Sequence, residues 1–530
     1  MTDKVMIYDT TLRDGCQAER VAFSVDDKLR VAHRLDDLGV AYIEGGWPNE
    51  TSPRDREFFH RAQGEAWHTA KIAAFGSTRR GGIKPEDDSN LRELVASGAP
   101  VVTIFGKSWN MHATEVLRVS LDENLEMIRD SVAFLKSHVP EVIFDAEHFF
   151  DGYKASPEYA MKTLLAATQG GADSLCLCDT NGGCMPWETE QIVTTVVQQV
   201  DAPLGIHCHN DSGTAVASSL GAVRAGCSQV QGTMDGYGER AGNANLCEII
   251  PNLELKMGHP CLPVGNINRL MGASKYVAEL ANLPHNNRQA YVGESAFAHK
   301  GGMHVNAVLK RPDSFEHIEP ELVGNERRIL VSDVSGSSTI ANKLRKLWPD
   351  LDRKGSLVQE ALGRLKDLEN EGYEFEAAEG SFALLAQELR GERPELFTLH
   401  GYRVLSGKHE EASEPFAEAT VEIEIDGERF HTAGAGTGPV HALDVALRKA
   451  LADKYPQITR LELMDYKVRV LEGTHGTGTG VRVVIETSDG ERSWGTVGVH
   501  ANIIEASWKA LVDSIAYGLQ EDGKASATDE

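Results

Sequence analysis

The strongest constraint on the fold is an alternation of short apolar runs with amphipathic stretches through the first half of the chain. This alternation predicts strands and helices in turn, and hence a mostly parallel sheet in an α/β domain. The runs that predict strands are Val5–Tyr8, Ala41–Glu44, Lys71–Phe75, Val101–Phe105, Val142–Phe144, Ser174–Cys178, Leu204–Cys208 and Gln229–Met234. Such a count within about 250 residues is typical of a TIM (β/α)8 barrel. A doubly wound sheet is the alternative, but the turn after the first strand reads TLRDGCQ and lacks the usual Gly-rich pattern.

The pattern changes after the predicted catalytic barrel of residues 1–262. Residues 263–398 are mostly helical with loops, and we interpret them as lid and linker subdomains. In residues 399–520, three strands and a helix are followed by another three strands and a helix, with a repeat of about sixty residues. This predicts an α+β domain of duplicated β-β-β-α units that pack together or dimerise. The polar residues 521–530 are expected to form a disordered tail.

Composition excludes several classes of protein. The net charge of -26 argues against nucleic-acid binding, because that function requires a basic surface. No run of about 18 apolar residues predicts a membrane span, and the start MTDKVMIYDT lacks the pattern of a signal peptide. The 8 cysteines form no CxxC pair, so we expect reduced thiols and a cytoplasmic location.

Polar residues follow the predicted strands at the carboxyl ends, where a TIM barrel has its active site. His207 and His209 lie two residues apart on the seventh strand, so their side chains face the same side. With Asp14 at the end of the first strand, they predict a site for a divalent cation such as Zn, Mn, Mg or Co. The alternative is a pair of hydrogen-bonded core histidines.

Three further charged residues lie at the ends of the same predicted strands. Arg13 adjoins Asp14, where a fixed cation would stabilise an enolate-like oxygen as charge develops. Glu44 and Glu147 lie in apolar strand contexts, and a buried carboxylate needs a partner. Arg13 is the predicted partner of one of them. For each of these residues a purely structural ion pair is the alternative.

Several motifs together resemble one enzyme family. They are YDTTLRDG-x-Q, IEGGWP, HCHND, GYGERAGN and FAHKGGMHVNAVLK. The combination is similar to the DRE-TIM metallolyase superfamily, and within it to the family of the isopropylmalate, homocitrate and citramalate synthases. The opening segment and the stretch FEHIEPELVGNERRILVSDVSG most resemble the bacterial citramalate synthases. The resemblance covers nearly the whole chain, and the duplicated units resemble the LeuA-type allosteric domain of 2-isopropylmalate synthases.

The resemblance implies roles for individual residues. The metal ligands would be Asp14, His207, His209 and Asn243. The substrate-binding residues would be Arg13, Gln17, Glu44 and Thr180. The catalytic residues would be Arg13, Glu147 near the acetyl group, and His304 as a base from the lid segment. Many relatives have a tyrosine where this chain has Phe315, which leaves His304 without the hydroxyl partner of a His–Tyr relay.

The resemblance also implies an activity. It is a metal-dependent Claisen-type condensation of acetyl-CoA with pyruvate, followed by thioester hydrolysis to (R)-citramalate and CoA, in isoleucine biosynthesis. One alternative is condensation with 2-oxoisovalerate, as in the 2-isopropylmalate synthases of leucine biosynthesis. The other is a lyase or aldolase of the same superfamily, which would cleave a carbon–carbon bond.

Glycine-rich segments precede the predicted helices of both C-terminal units. They contain the four predicted regulatory residues, Gly434, Gly436, Gly438 and Gly498. Glycine-rich turns at helix N-termini bind carboxylates and phosphates. With the resemblance, they imply a feedback site for isoleucine or leucine between paired units, and hence a homodimer. The alternative is a tight connection from strand to helix without a ligand.

Overall fold

The first unit is a closed barrel of eight parallel strands. The computed structural model describes residues 4–331, 337–352, 355–408, 410, 414–471 and 480–525. The strands pair in chain order, and β1 closes the ring against β8. Their bounds are β1 Met6–Asp9, β2 Tyr42–Gly46, β3 Lys71–Ser77, β4 Val101–Lys107, β5 Glu141–Glu147, β6 Ser174–Asp179, β7 Leu204–Cys208 and β8 Gln229–Gly232. Closure confirms the predicted TIM barrel over a doubly wound sheet.

Helices surround the strands and bury their apolar faces against them. They are α1 Val25–Leu38, α2 Pro53–Ala62, α3 Ser89–Ala96, α4 Leu121–Lys136, α5 Phe149–Ala155, α6 Pro157–Gly170, α7 Pro186–Val197, α8 Ala215–Ala225, α9 Leu246–Pro251 and α10 Leu270–Leu280. Local sequence explains where α1 begins and ends. Ser24 and Asp27 form a reciprocal capping box, and Gly39 ends the helix in the left-handed conformation.

The barrel core extends beyond residue 262, the predicted end of the catalytic domain. Leu270 and Val277 of α10, and Phe297 further along, belong to the same buried cluster as the strands. Contacts group the chain into two compact units, Met1–Phe297 with Ile318–Arg327, and Ala298–His317 with Arg328–Glu530. The first unit extends past residue 262 because α10 packs its apolar face against α1. Helix α10 therefore belongs to the barrel unit and is not part of a linker. The domain bounds 1–262, 263–398 and 399–520 remain predictions.

The second unit begins with short strands and helices. They are β9 Ala298–His299, α11 Gly302–Lys310, β10 Arg328–Ile329, α12 Ser337–Leu347, α13 Ser356–Asn370 and α14 Glu379–Arg390. The helical character predicted for this region is therefore present. Apolar residues of α12, α13 and α14 form a separate buried cluster that also includes Val497.

Two three-stranded antiparallel sheets complete the second unit. The first contains β11 Thr398–Gly407, β12 Phe416–Ile425 and β13 Glu428–Gly436, followed by α15 Pro439–Leu451. The other contains β14 Glu462–Val470, β15 Val481–Ser488 and β16 Ser493–His500, followed by α16 Ile503–Ala525. The predicted duplication of a β-β-β-α unit is confirmed. Helix α16 extends five residues into the predicted tail 521–530, whose last residues, 526–530, lie outside those described.

The structure also bears on two features considered in the sequence, which are membrane-spanning segments and the state of the cysteines. Among the described residues, no helix combines the length and apolarity needed to cross a bilayer. All eight cysteines are free thiols, and all but the partly buried Cys16 are buried.

Candidate active site and metal centre

Three side chains suited to metal binding meet at the carboxyl end of the barrel. Asp14 follows β1, while His207 and His209 lie at the end of β7. One donor atom of each lies within 4.8 Å of the others, and the residues are only 1%, 5% and 7% exposed. Alternation along β7 turns both imidazoles to the same side. The structure thus brings the three predicted ligands together as a candidate cation site.

Asn243, the fourth predicted ligand, borders the same cluster. Its Nδ2 lies 2.8 Å from Oδ2 of Asp14 and 3.2 Å from Nε2 of His207. Among the buried polar atoms that lack a hydrogen-bond partner in the described part of the chain are Nδ1 of His209 and Oδ1 of Asn243. Buried polar atoms normally have partners, and rotation of the Asn243 amide exchanges its oxygen and nitrogen. A carboxylate, two imidazoles and an amide oxygen fit a divalent cation.

The glycines of the GYGERAGN motif allow Asn243 to reach this position. A Cβ on Gly238 would lie 1.9 Å from Oδ1 of Asn243, and one on Gly242 would lie 2.1 Å from the backbone oxygen of Gly236. Gly242 also has a φ of +89°, in a region of backbone conformation that residues with a Cβ rarely adopt. His209 and Asn243 then pair as an isolated antiparallel bridge. The motif therefore brings the segment after β8 against the end of β7.

Arg13 is held between two carboxylates and an aromatic ring. Its Nε donates to Oε1 of Glu44 at 2.5 Å, and an Nη atom lies 3.1 Å from Oδ1 of Asp14. Glu44 also accepts a hydrogen bond from the hydroxyl of Tyr8 at 2.8 Å. The guanidinium carbon lies 3.7 Å from the ring centre of Phe75. The predicted pairing of Arg13 with one of the glutamates is confirmed for Glu44.

Burial and these charges shift the pKa values of the cluster in opposite directions. Burial acts to raise the pKa of the Asp14 carboxyl, but Arg13 and His207 outweigh it and hold that pKa well below its usual range. Burial, with a contribution from His207, lowers the pKa of His209 to about 4. Asp14 is therefore ionised and His209 neutral near pH 7, the protonation states in which these groups bind metals.

Glu147 pairs with Lys107, a residue that sequence reasoning did not identify. Lys107 ends β4 and Glu147 ends β5, and the two are register partners that form an ion pair. Thr180, which follows β6, accepts a hydrogen bond at Oγ1 from the backbone N–H of His148 at 2.9 Å. His148 directs this N–H from a left-handed conformation with φ of 53°. The sequence could have indicated Lys107, because a cation follows a predicted strand there. The backbone conformation of His148 has no corresponding signal in the sequence.

An aromatic wall, formed by Trp47, Phe75 and Phe105, borders Arg13. Trp47 packs edge-on against Phe75 and Phe105 with ring centres 5.9 and 5.7 Å away, and the two phenyl rings stack 5.6 Å apart. The sequence does not indicate this wall, because aromatic residues in barrel strands are also typical of the core. The wall limits the space on one side of Arg13.

Two predicted residues lie in exposed positions. Gln17 ends the short 3-10 helix Gly15–Gln17, and its contact with substrate remains a prediction. His304 lies in the second unit on α11, where its ring stacks on Phe315 with centroids 4.3 Å apart. The role of His304 as a base also remains a prediction. The ring beside it is a phenyl, without the hydroxyl that many relatives are expected to have.

The predicted regulatory glycines have a structural explanation. Gly434 and Gly436 lie inside β13, where a Cβ would come within 2.6 Å and 2.5 Å of backbone nitrogens of α15. A Cβ on Gly498, in β16, would lie 2.0 Å from the backbone oxygen of Ala506. Gly438 has open space around its Cβ position and precedes α15 as its N-cap. Three of the four glycines therefore permit close packing of helix on sheet, and an effector role remains a prediction.

The chain matches three family models along its length. The HMGL-like model matches residues 4–277. The homocitrate synthase post-HMGL domain-like model matches residues 291–373, and the LeuA allosteric (dimerisation) domain matches residues 376–519. These segments contain the barrel, the helical region with its short strands, and the duplicated sheets.

Curated relatives match nearly the whole chain. The (R)-citramalate synthase of Geobacter sulfurreducens is 53% identical over 98% of this chain and 98% of its own length. That of Aquifex aeolicus is 53% identical over 98% of this chain and 99% of its own. The probable 2-isopropylmalate synthase of Methanopyrus kandleri is 32% identical over 97% and 98%. The chain therefore belongs to the HMGL-like family and, within it, to the family of the (R)-citramalate synthases.

Proposed function

We propose that this chain condenses acetyl-CoA with pyruvate and hydrolyses the thioester to release (R)-citramalate and CoA. The observation that carries the proposal is the cluster of Asp14, His207 and His209 beside the fixed guanidinium of Arg13. Full-length similarity to (R)-citramalate synthases supports it.

The 2-oxo acid would bind between the metal ligands and Arg13. A divalent cation held by Asp14, His207, His209 and Asn243 would supply Lewis-acid polarisation of the substrate oxygens. Arg13 would donate to the keto oxygen and stabilise the negative charge that develops there. Because Glu44 and Phe75 hold its guanidinium in place, little reorganisation accompanies the reaction.

Thr180 is suited to bind the carboxylate of the 2-oxo acid. Its Oγ1 already accepts a hydrogen bond from the N–H of His148. A hydroxyl has a single hydrogen to donate and two acceptor positions. With one acceptor position used by His148, the hydrogen of Thr180 is available for an anionic substrate group.

The acetyl group must lose a methyl proton before carbon–carbon bond formation. The resulting carbon attacks the keto carbon, the alkoxide takes up a proton, and water then cleaves the thioester to a carboxylate and CoA. We assign His304 as the base by resemblance. Glu147 would lie near the acetyl group, and its pairing with Lys107 would hold the carboxylate in position.

The aromatic wall favours pyruvate over a branched 2-oxo acid. Phe75 contacts Arg13, and together with Trp47 and Phe105 it would occupy space that a larger side chain on the substrate needs. The second candidate, condensation of acetyl-CoA with 2-oxoisovalerate, has the similarity to a probable 2-isopropylmalate synthase in its favour. The lower identity of that relative makes it the weaker candidate.

Further properties follow from the same assignment. The metal would be Mn, Mg, Zn or Co, because each accepts mixed nitrogen and oxygen ligands.

The match to a LeuA allosteric (dimerisation) domain supports a homodimer that responds to isoleucine or leucine. The product would feed isoleucine biosynthesis, and the eight free thiols support a cytoplasmic location.

Release of CoA thiol tests the proposal. The metal-loaded chain is incubated with acetyl-CoA and with pyruvate, 2-oxobutyrate or 2-oxoisovalerate in parallel. We expect the highest kcat/KM with pyruvate, and citramalate as the product by mass spectrometry. The His207→Ala variant serves as the control for background hydrolysis. A preference for 2-oxoisovalerate would contradict the proposal in favour of the second candidate, and absence of thiol release with all three acids would refute both.

A further inference from the structure

A line of hydrogen bonds crosses the inside of the barrel and ends on His207. Asp145 on β5 accepts a hydrogen bond at Oδ1 from Nε2 of Gln231 on β8 at 3.0 Å. Oε1 of Gln231 lies 2.9 Å from Nδ1 of His207 on β7. Because β5 and β8 are not neighbours in the barrel, the contact between Asp145 and Gln231 spans the lumen.

The three groups are shielded from water and held in register. Asp145, Gln231 and His207 are 3%, 0% and 5% exposed. His207 and Gln231 are register partners in adjacent parallel strands. None of the three groups can therefore exchange its partner for solvent without a local opening of the barrel.

The polarity of this line is fixed by its first member. Burial raises the pKa of Asp145 to about 7, and in its ionised form the carboxylate accepts hydrogen bonds and donates none, so ionised Asp145 requires the NH2 group of Gln231 to face it. The carbonyl oxygen of Gln231 must then face His207. An amide oxygen is an acceptor, so Nδ1 of His207 must carry the hydrogen. In the neutral imidazole, Nε2 is then left with its lone pair.

When His207 is neutral, the lone pair of Nε2 faces the candidate cation site. Nε2 of His207 lies 3.2 Å from Oδ2 of Asp14 and 3.2 Å from Nδ2 of Asn243. Metal-ligating histidines usually donate their other ring N–H to an acceptor that fixes the tautomer and raises ligand basicity. We propose that Gln231, oriented by Asp145, is the positioning residue that sets His207 in the tautomer able to bind the metal through Nε2. This inference rests on the metal role proposed above.

Metal affinity tests the line without reference to turnover. The chelator-treated full chain is titrated with Co2+ or Mn2+ in equilibrium dialysis. Loss of such an outer partner typically weakens metal binding by about 10–100-fold. We expect this loss in Gln231→Met, which keeps the side-chain volume and removes both hydrogen bonds. The matched control is Gln229→Met, another buried glutamine of β8 whose Oε1 has no partner among the described residues.

A double variant distinguishes positioning from simple damage to the barrel. In Asp145→Asn with Gln231→Glu, the amide and the carboxylate change places. The new Asn donates to the new Glu, so the hydrogen bond between positions 145 and 231 reverses its direction, but the new Glu still accepts from Nδ1 of His207 and the volumes are similar. We expect this double variant to bind metal much more tightly than Gln231→Met and close to wild type.

Three outcomes would overturn the inference. One is a folded Gln231→Met variant that binds metal with wild-type affinity. Another is a folded double variant that binds no better than Gln231→Met. The third is an equal loss of affinity in Gln229→Met. A wild-type chain that binds no divalent metal would instead refute the proposed function, a result distinguishable from these because it requires no variant.

Discussion

Nε of Arg13 donates to Oε1 of Glu44 at 2.5 Å, and Glu44 is completely buried. Removal of one partner from a buried ion pair costs about 3–5 kcal/mol when the remaining charge is left uncompensated. The cost here is smaller, because Asp14 still lies 3.1 Å from Arg13. We therefore expect Glu44→Ala to lower the melting temperature. We also expect it to reduce kcat/KM by about 100-fold, because the guanidinium would shift from its reacting position.

The variant Glu44→Gln provides the matched control. Its amide keeps the side-chain volume and an acceptor for the hydroxyl of Tyr8, which donates to Glu44 at 2.8 Å. We expect a melting temperature between those of wild type and Glu44→Ala. Differential scanning fluorimetry and the CoA-release assay measure the two effects. Wild-type kcat/KM in a folded Glu44→Ala variant would show that Arg13 does not depend on this pairing.

Phe105 offers a test of the aromatic wall. Its ring stacks 5.6 Å from Phe75, whose ring contacts Arg13. Apolar pockets distinguish substrates that differ by a methylene by about 10–200-fold. We expect Phe105→Ala to lower the ratio of kcat/KM for pyruvate to that for 2-oxoisovalerate by about tenfold, whereas Phe105→Leu would change it less. An unchanged ratio in a folded alanine variant would exclude Phe105 from the substrate pocket.

Gly498 and Gly438 form a matched pair in the second unit. A Cβ on Gly498 would lie 2.0 Å from the oxygen of Ala506, whereas a Cβ on Gly438 would have nothing within 4 Å. Overpacking of this kind costs about 1–3 kcal/mol. We expect Gly498→Ala to lower the melting temperature more than Gly438→Ala, because the alanine at position 438 meets no clash and loses only the preference for glycine at a helix N-cap. Equal melting temperatures for the two variants would contradict the close packing of α16 on β16.

Asp88 predicts a dependence of stability on pH. It caps α3 by accepting from the N–H groups of Asn90 and Leu91, at 2.9 and 3.2 Å. Burial acts to raise its pKa, but hydrogen bonds from Arg80 and Leu91 outweigh it, so the pKa is lowered from 3.8. A lowered pKa in the folded state contributes stability that is complete above the unfolded value and is lost as the pH falls through the folded value.

The corresponding experiment compares wild type with Asp88→Ala by thermal unfolding at several pH values. Loss of a helix N-cap typically costs about 1 kcal/mol. We expect a constant difference in melting temperature from neutral pH down to about 5, and a smaller difference below about 4 as the carboxylate is protonated. A difference that grows toward low pH would mean that the sign of the shift is wrong.

The sequence predicts the barrel and the metal cluster because both follow from local patterns. Alternation of strands and helices fixes the order of the strands, and the spacing of His207 and His209 places both rings on one side of β7. Asp14 joins them because β1 closes the barrel against β8. The duplicated sheets of the second unit follow from their repeated pattern in the same way.

The remainder depends on contacts that no local pattern encodes. Asp145 and Gln231 are 86 residues apart and meet only across the closed lumen. The packing of α10 on the barrel could not be distinguished from a linker helix, because an amphipathic helix has the same pattern in both settings. The glycines before α15 and α16 suggested a ligand-binding turn. The structure shows that Gly434 and Gly436 lie inside a strand, where the backbone of a helix leaves no room for a side chain.

Removal and return of the metal ion test the proposed cation site of Asp14, His207 and His209. After exhaustive treatment with a chelator, wild type and Asp14→Ala are titrated with Mn2+ and the bound metal is counted against protein. We expect one tightly bound ion per chain for wild type, with recovery of CoA release on its return, and loss of that ion in Asp14→Ala. Full turnover by the metal-free wild-type chain, or an undiminished bound ion in Asp14→Ala, would show that these residues do not hold a catalytic metal.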